Sequence, residues 1–168
     1  HGYPDPSREI SFMDRRKYGH DLVMTDDNIM IPLYVYYPGC IPNTYSEMVS
    51  STQIMPTILE LLDISLDETS SALDGVSLSP LIQGKSSDEL YAFSETGNPL
   101  HEKAPPKEPN VKSIRTSKWK LILNEYNDTK ELYNLELDPD ENKNLIETGE
   151  NIEEILWVEL KRLINKHD

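Results

Sequence analysis

The sequence predicts an α/β segment over residues 1–96 followed by a small α+β unit over residues 97–168, an antiparallel sheet with a C-terminal helix. Three observations carry this reading. The run Ile31-Pro32-Leu33-Tyr34-Val35-Tyr36-Tyr37 is continuously apolar and stopped by Pro38-Gly39, the pattern of a strand buried on both faces of a parallel sheet. Three short β-prone runs between Lys112 and Leu135 are separated by turn residues, as in a meander. Ile152, Leu156, Leu160, Leu163 and Ile164 recur at helical spacing near the C-terminus.

Residues 1–28 are polar and carry Pro4, Pro6 and the basic cluster Arg15-Arg16-Lys17, so they read as loop with a short helix. Ile29–Tyr37 is the first expected strand. A helix is expected to start near Ser51 or Thr52, with Pro56 in its first turn, and to end by Asp63. Its expected inward stripe is Ile54, Ile58, Leu61 and Leu62. Asp74–Gly84 reads as a turn and short helical piece that packs Leu78, Leu81 and Ile82, and Leu90–Ser94 as a short strand. Gly97–Asn110 holds Pro99, Pro105, Pro106 and Pro109 and marks the boundary between the two parts.

In the second part, Lys112–Arg115, Trp119–Asn124 and Lys130–Leu135 are the expected strands, split at Ser117-Lys118 and Asn127-Asp128. The last helix is expected over Ile152–Lys166, with Ile155 on its inward face. A one-faced meander covered by an amphipathic helix makes a two-layer unit.

Composition narrows the function classes. The formal charge of −14 repels phosphate backbones and argues against nucleic-acid binding. Cys40 is the only cysteine, which excludes an internal disulfide and a thiolate metal cluster. No apolar run reaches the roughly 18 residues of a membrane span. An acidic chain that handles an anionic ester needs local positive charge, and the candidates are His20, Arg115 and the cluster Arg15-Arg16-Lys17. Asn127-Asp128-Thr129 fits a glycosylation acceptor but also an ordinary hairpin turn, and receives no functional weight.

Several segments in order resemble the C-terminal portion of a sulfatase of the alkaline phosphatase superfamily. They are His1-Gly2, Gly19-His20 with Pro32 twelve residues on, Gln53-Ile54-Met55-Pro56-Thr57-Ile58-Leu59 and Asp74-Gly75-Val76-Ser77-Leu78. Ser94-Glu95-Thr96, Ile114-Arg115-Thr116, Trp119-Lys120-Leu121-Ile122, Glu131-Leu132-Tyr133-Asn134-Leu135 and Asp138-Pro139-Asp140-Glu141 through Leu145 follow in the family's order. Asp21, Met30 and Gln53 depart from the Gly, Arg and Asp usual at those places.

The resemblance implies the function. Residues 1–96 would be the last part of the α/β sheet domain, and the protein would hydrolyse a small-molecule or glycan sulfate ester. His20 would be both the catalytic and the sulfate-binding residue, donating to sulfuryl oxygens as charge builds up, or passing a proton to the leaving oxygen. Taken alone, a His in a loop is more often a surface residue. His1 would belong to a divalent metal site, calcium rather than magnesium, held mainly by carboxylates; taken alone it is a solvated terminal residue. The nucleophile segment expected of the family, in which Cys or Ser is converted to formylglycine, does not occur, because Cys40-Ile41-Pro42-Asn43-Thr44 lacks the Arg two places after the Pro. The chain is therefore expected to begin in mid-protein and to be inactive by itself. Rival readings are a phosphonate monoester or phosphodiester hydrolase of the same superfamily and a non-catalytic binding module. The resemblance leans toward a secreted or periplasmic setting and leaves oligomeric state open.

Overall fold

A computed structural model of the chain describes residues 24–65, 73–85, 91–96, 111–125 and 128–167. Contacts divide the chain into two compact units, residues 46–92 and the remainder.

In the unit of residues 46–92, Ser50 opens the first helix through a capping box: its own amide donates to Gln53 Oε1 at 2.8 Å, and its hydroxyl accepts from the Thr52 amide. A 3-10 turn over Ser51–Gln53 runs into a helix over Ile54–Leu61, with Pro56 tolerated near its start. The expected inward stripe is corrected. Gln53 and Thr57 are the buried side chains, whereas Ile58 and Leu62 are exposed. Polar pins select that face. Thr57 Oγ1 donates to the Gln53 carbonyl at 2.6 Å and accepts from the Leu78 amide at 2.8 Å, tying the helix to the following turn. Gly75 closes the same joint, since a Cβ there would stand 2.3 Å from the Thr52 carbonyl oxygen. Beyond it, a short helix over Ser79–Ile82 buries Leu81, next to the buried Leu78, as the sequence predicts.

The second unit is built on a four-stranded sheet in the order β1 (Ala92–Thr96), β2 (Val111–Arg115), β3 (Trp119–Asn124) and β4 (Thr129–Asn134). The β2–β3 and β3–β4 pairs are antiparallel, so the expected meander is borne out. Alternation along the strands gives the sheet two apolar faces. Ile114, Leu121, Leu123 and Leu132 pack against Leu156 and Leu160 of the C-terminal helix, Asn151–His167. Ile155 stays exposed, one position off that stripe. On the other face Val111, Ile122 and Tyr133 cluster with Leu135, just after β4, and with Met24 and the half-buried Ile29, which precede and end a single helical turn, α1, over Asp26–Ile29.

The expected strand Ile29–Tyr37 is corrected. Its first residue closes α1, and residues 31–37 have no ladder partner among the described residues. Tyr34 and Tyr36 are 90% and 88% exposed, and Ile31, Leu33 and Val35 are exposed as well. The physical reason is that a parallel strand consists of its neighbours' amide and carbonyl partners. An apolar run predicts burial but does not supply those partners. The described sheet is antiparallel, so the parallel part of the expected α/β class rests on the sequence pattern alone.

Candidate functional site

A group of four charged side chains, Asp26, Arg115, Lys120 and Glu141, lies at one end of the sheet, on the face that carries Val111, Ile122 and Tyr133. Arg115 ends β2, and its register partner across the ladder is Lys120 of β3, so alternation delivers both cations to that face. Asp26 begins α1, and Glu141 sits in the turn-rich segment after β4 with a left-handed backbone, φ +53°.

Asp26 is gripped from several sides. The Arg115 guanidinium donates from Nε to Oδ1 at 3.0 Å and from Nη2 to Oδ2 at 2.8 Å, a two-pronged contact that fixes orientation as well as charge. Lys120 Nζ donates to Oδ1 at 2.5 Å. The Asp26 backbone amide donates to Glu141 Oε2 at 2.6 Å. Lys120 is fully buried, and its ammonium also lies 2.8 Å from Glu141 Oε1. Arg115 Nη1 completes the set by donating to the Thr116 carbonyl at 2.9 Å.

Two cations and two carboxylates balance. Burial opposes ionisation of Asp26, but hydrogen bonds from Arg115 and Lys120 outweigh it and hold the carboxyl below its usual range. At Glu141 burial wins over the pull of Lys120, and the carboxyl is pushed up. All four charges are engaged, so this arrangement holds its own segments together and offers no free cation to an anionic ligand. Arg115, an anion-binding candidate from sequence, is thereby reassigned: its charge is committed to Asp26.

His20, the expected catalytic and sulfate-binding residue, and His1, the expected metal ligand, lie outside the described residues, as do the cluster Arg15-Arg16-Lys17 and Asn127. Cys40 is a free, half-buried thiol. Among the described residues no group of three or more His, Cys, Asp or Glu side chains is arranged to hold a metal ion. No helix among them is long and apolar enough to cross a membrane.

Sequence reasoning missed Asp26 entirely and treated Lys120 and Glu141 as scaffold. One signal pointed to Lys120: the strand pattern puts it on the same face as the apolar Ile122, where a lysine is buried only if paired. A separate open pocket of about 390 Å³ lies at the start of the C-terminal helix, lined in part by Glu150, Asn151, Glu153 and Trp157. The Trp157 ring is already covered by Lys130, whose Nζ stands 4.0 Å from its centroid.

The model of the family "N-sulphoglucosamine sulphohydrolase, C-terminal" matches residues 9–167. A choline-sulfatase of Rhizobium meliloti (strain 1021) is 33% identical over 121 residues, covering 70% of this chain and 21% of its own length. The N-acetylglucosamine-6-sulfatase of Homo sapiens is 31% identical over 150 residues, covering 72% of this chain and 27% of its own length. Among solved structures, Ps i-CgsB superposes with a TM-score of 0.55 at 19% identity, over 76% of this chain and 27% of that one. A phosphonate monoester hydrolase from Silicibacter pomeroyi superposes with a TM-score of 0.52 at 20% identity, over 79% of this chain and 27% of that one. The chain thus spans about a quarter of the length of the curated relatives it matches.

Proposed function

This chain belongs to the N-sulphoglucosamine sulphohydrolase C-terminal family of the sulfatases, and on that premise we propose that it forms the C-terminal part of a protein that hydrolyses a sulfate ester. The observation that carries the proposal is the family match over residues 9–167, reinforced by two sulfatase relatives above 30% identity. The substrate class follows the same line: a sulfated small molecule or a sulfated sugar, the two kinds that the relatives' names describe.

In this reading His20 binds the sulfate and stabilises charge on its oxygens, and a proton held at its ring passes to the leaving oxygen when its pKa lies near neutrality. A divalent metal, calcium rather than magnesium, belongs to the proposal, with His1 as this chain's contribution. The described residues supply no ligand set for it, and the chemistry assigned to this chain runs through no metal. Hydrolysis also needs a nucleophile, formylglycine in the resembling family, and the 168 residues contain no segment suited to it. Turnover is therefore assigned to the whole protein, and this chain by itself is proposed to be inactive. The apolar run of residues 31–37 is assigned to the sheet of that whole protein, which would supply the ladder partners not found among the described residues.

The test is an assay of the full-length protein on a nitrophenyl sulfate beside a nitrophenyl phosphonate and a phosphodiester. Preferential hydrolysis of the sulfate supports the proposal. Cleavage of the phosphonate or diester with the sulfate left intact would defeat it in favour of phosphoryl chemistry. The likeness to the phosphonate monoester hydrolase is a likeness of fold and does not by itself favour that rival.

A further inference from the structure

The helix over Ile54–Leu61 carries its apolar side outward. Its buried side is polar: Gln53 at the N-cap, and Thr57, which donates to the Gln53 carbonyl and accepts from the Leu78 amide. At about 100° per residue, Met55, Ile58 and Leu62 form one stripe on the opposite side. These three are 55%, 45% and 63% exposed. A surface helix normally shows the reverse, with its apolar stripe turned to the core. Single exposed apolar side chains are ordinary, whereas a contiguous apolar row marks a surface that meets another one. The small core of this unit points the same way. Among the described residues of 46–92, the buried apolar side chains are Leu78 and Leu81. Two side chains offset little of the entropy lost in ordering a unit of that size.

The size of the stripe narrows what can cover it. Three half-exposed side chains fall well short of the roughly 800 Å² per partner that a free-standing complex buries. A partner in the same polypeptide needs no such area, because the connecting chain holds it at high effective concentration. The chain spans about a quarter of the length of its curated relatives, so most of a protein of that kind lies outside it. We propose that the stripe of Met55, Ile58 and Leu62 is a docking face, by which residues 46–92 pack onto an apolar surface of the same polypeptide outside these 168 residues. This rests on reading the chain as the C-terminal part of a longer protein, and not on the reaction which that protein performs. The unit completes its core only against that second surface.

The test places a cysteine on the stripe of the full-length protein and follows its labelling by a maleimide, read at that site by peptide mass. Ile58→Cys is expected to react about 100-fold more slowly in the folded protein than in urea, and no faster when the folded protein is diluted. Met55→Cys takes its place if Ile58→Cys folds poorly. The occupant is then identified with photo-methionine in place of methionine. Light is expected to join Met55 to a peptide from outside the 168 residues. Labelling at the unfolded rate overturns the inference. Protection lost on dilution, or a cross-link between two copies, assigns the stripe to a second copy and overturns it too. A cross-link within the 168 residues, or none at all, does the same. A protein protected in this way that hydrolyses no nitrophenyl sulfate loses the sulfatase reading and keeps this inference.

Discussion

Lys120 and Asp26, 94 positions apart, meet with Nζ 2.5 Å from Oδ1 at a site where the lysine has no exposed surface. The pair explains why a buried lysine sits near the start of an apolar strand. Its neighbours Leu121 and Ile122 are core residues, and the ammonium is tolerated only because two carboxylates surround it.

Removing that ammonium leaves Asp26 and Glu141 facing each other without their shared counter-charge. Lys120→Met is expected to destabilise the protein by about 3–5 kcal/mol, the range for breaking one side of a buried pair. Adding Glu141→Gln should recover part of the loss. Urea unfolding of the two variants checks both statements.

The two carboxylates give stability a pH dependence of opposite signs. Burial raises the Glu141 pKa, so the folded state takes up that proton more readily than the unfolded one. Its contribution therefore grows as pH falls from neutral, through the raised pKa, toward the ordinary value of 4.5. Burial also opposes ionisation of Asp26, but its partners Arg115 and Lys120 lower its pKa overall. Its contribution is present above the ordinary value of 3.8 and lost as pH falls through the lowered one. Stability should peak in the mildly acidic range, and Glu141→Gln should flatten the limb toward neutral pH. Unfolding measured from about pH 4 to about pH 8 tests this, and a wild-type curve that declines steadily below neutrality would contradict it.

Leu160 and Ile155 share the C-terminal helix but not its buried face. Leu160→Ala is expected to cost about 2–5 kcal/mol through a cavity against the sheet, and Ile155→Ala within about 0.5 kcal/mol. Equal effects in denaturant titrations would mean that the helix is docked on a different face.

Gly75 has no room for a side chain. Gly75→Ala drives a methyl into the Thr52 carbonyl, with 2.3 Å between the two before relaxation. The cost should be about 1–3 kcal/mol, typical of overpacking. It should appear as faster limited proteolysis within residues 46–92, with cleavage of the C-terminal sheet unchanged.

For the full-length protein, His20→Ala is expected to lower kcat on a nitrophenyl sulfate by about 10²–10³, the effect of losing one donor to developing oxyanion charge. The melting temperature should not move. A variant that keeps wild-type kcat removes His20 from the chemistry.

The strands and helices of residues 111–167 were legible because their signals are local. Period-two alternation, turn residues at Ser117-Lys118 and Asn127-Asp128, and a helical stripe all lie within the segments that they shape. Family membership was legible for a related reason, since ordered short motifs survive in sequence. The inward face of Ile54–Leu61 was not, because hydrogen bonds from Thr57 to the Gln53 carbonyl and from the Leu78 amide override its apolar stripe.

What the sequence alone determined is therefore the order and type of most elements, the acidic balance and the family resemblance. Tertiary structure decided the rest. It committed Arg115 to Asp26, buried Lys120 between two carboxylates, and left residues 31–37 without a ladder partner among the described residues. Each of those outcomes depends on a group far away in the chain or on another strand's backbone. Periodicity within one segment carries no information about such partners, because burial of a charge or pairing of a strand is a property of two segments together.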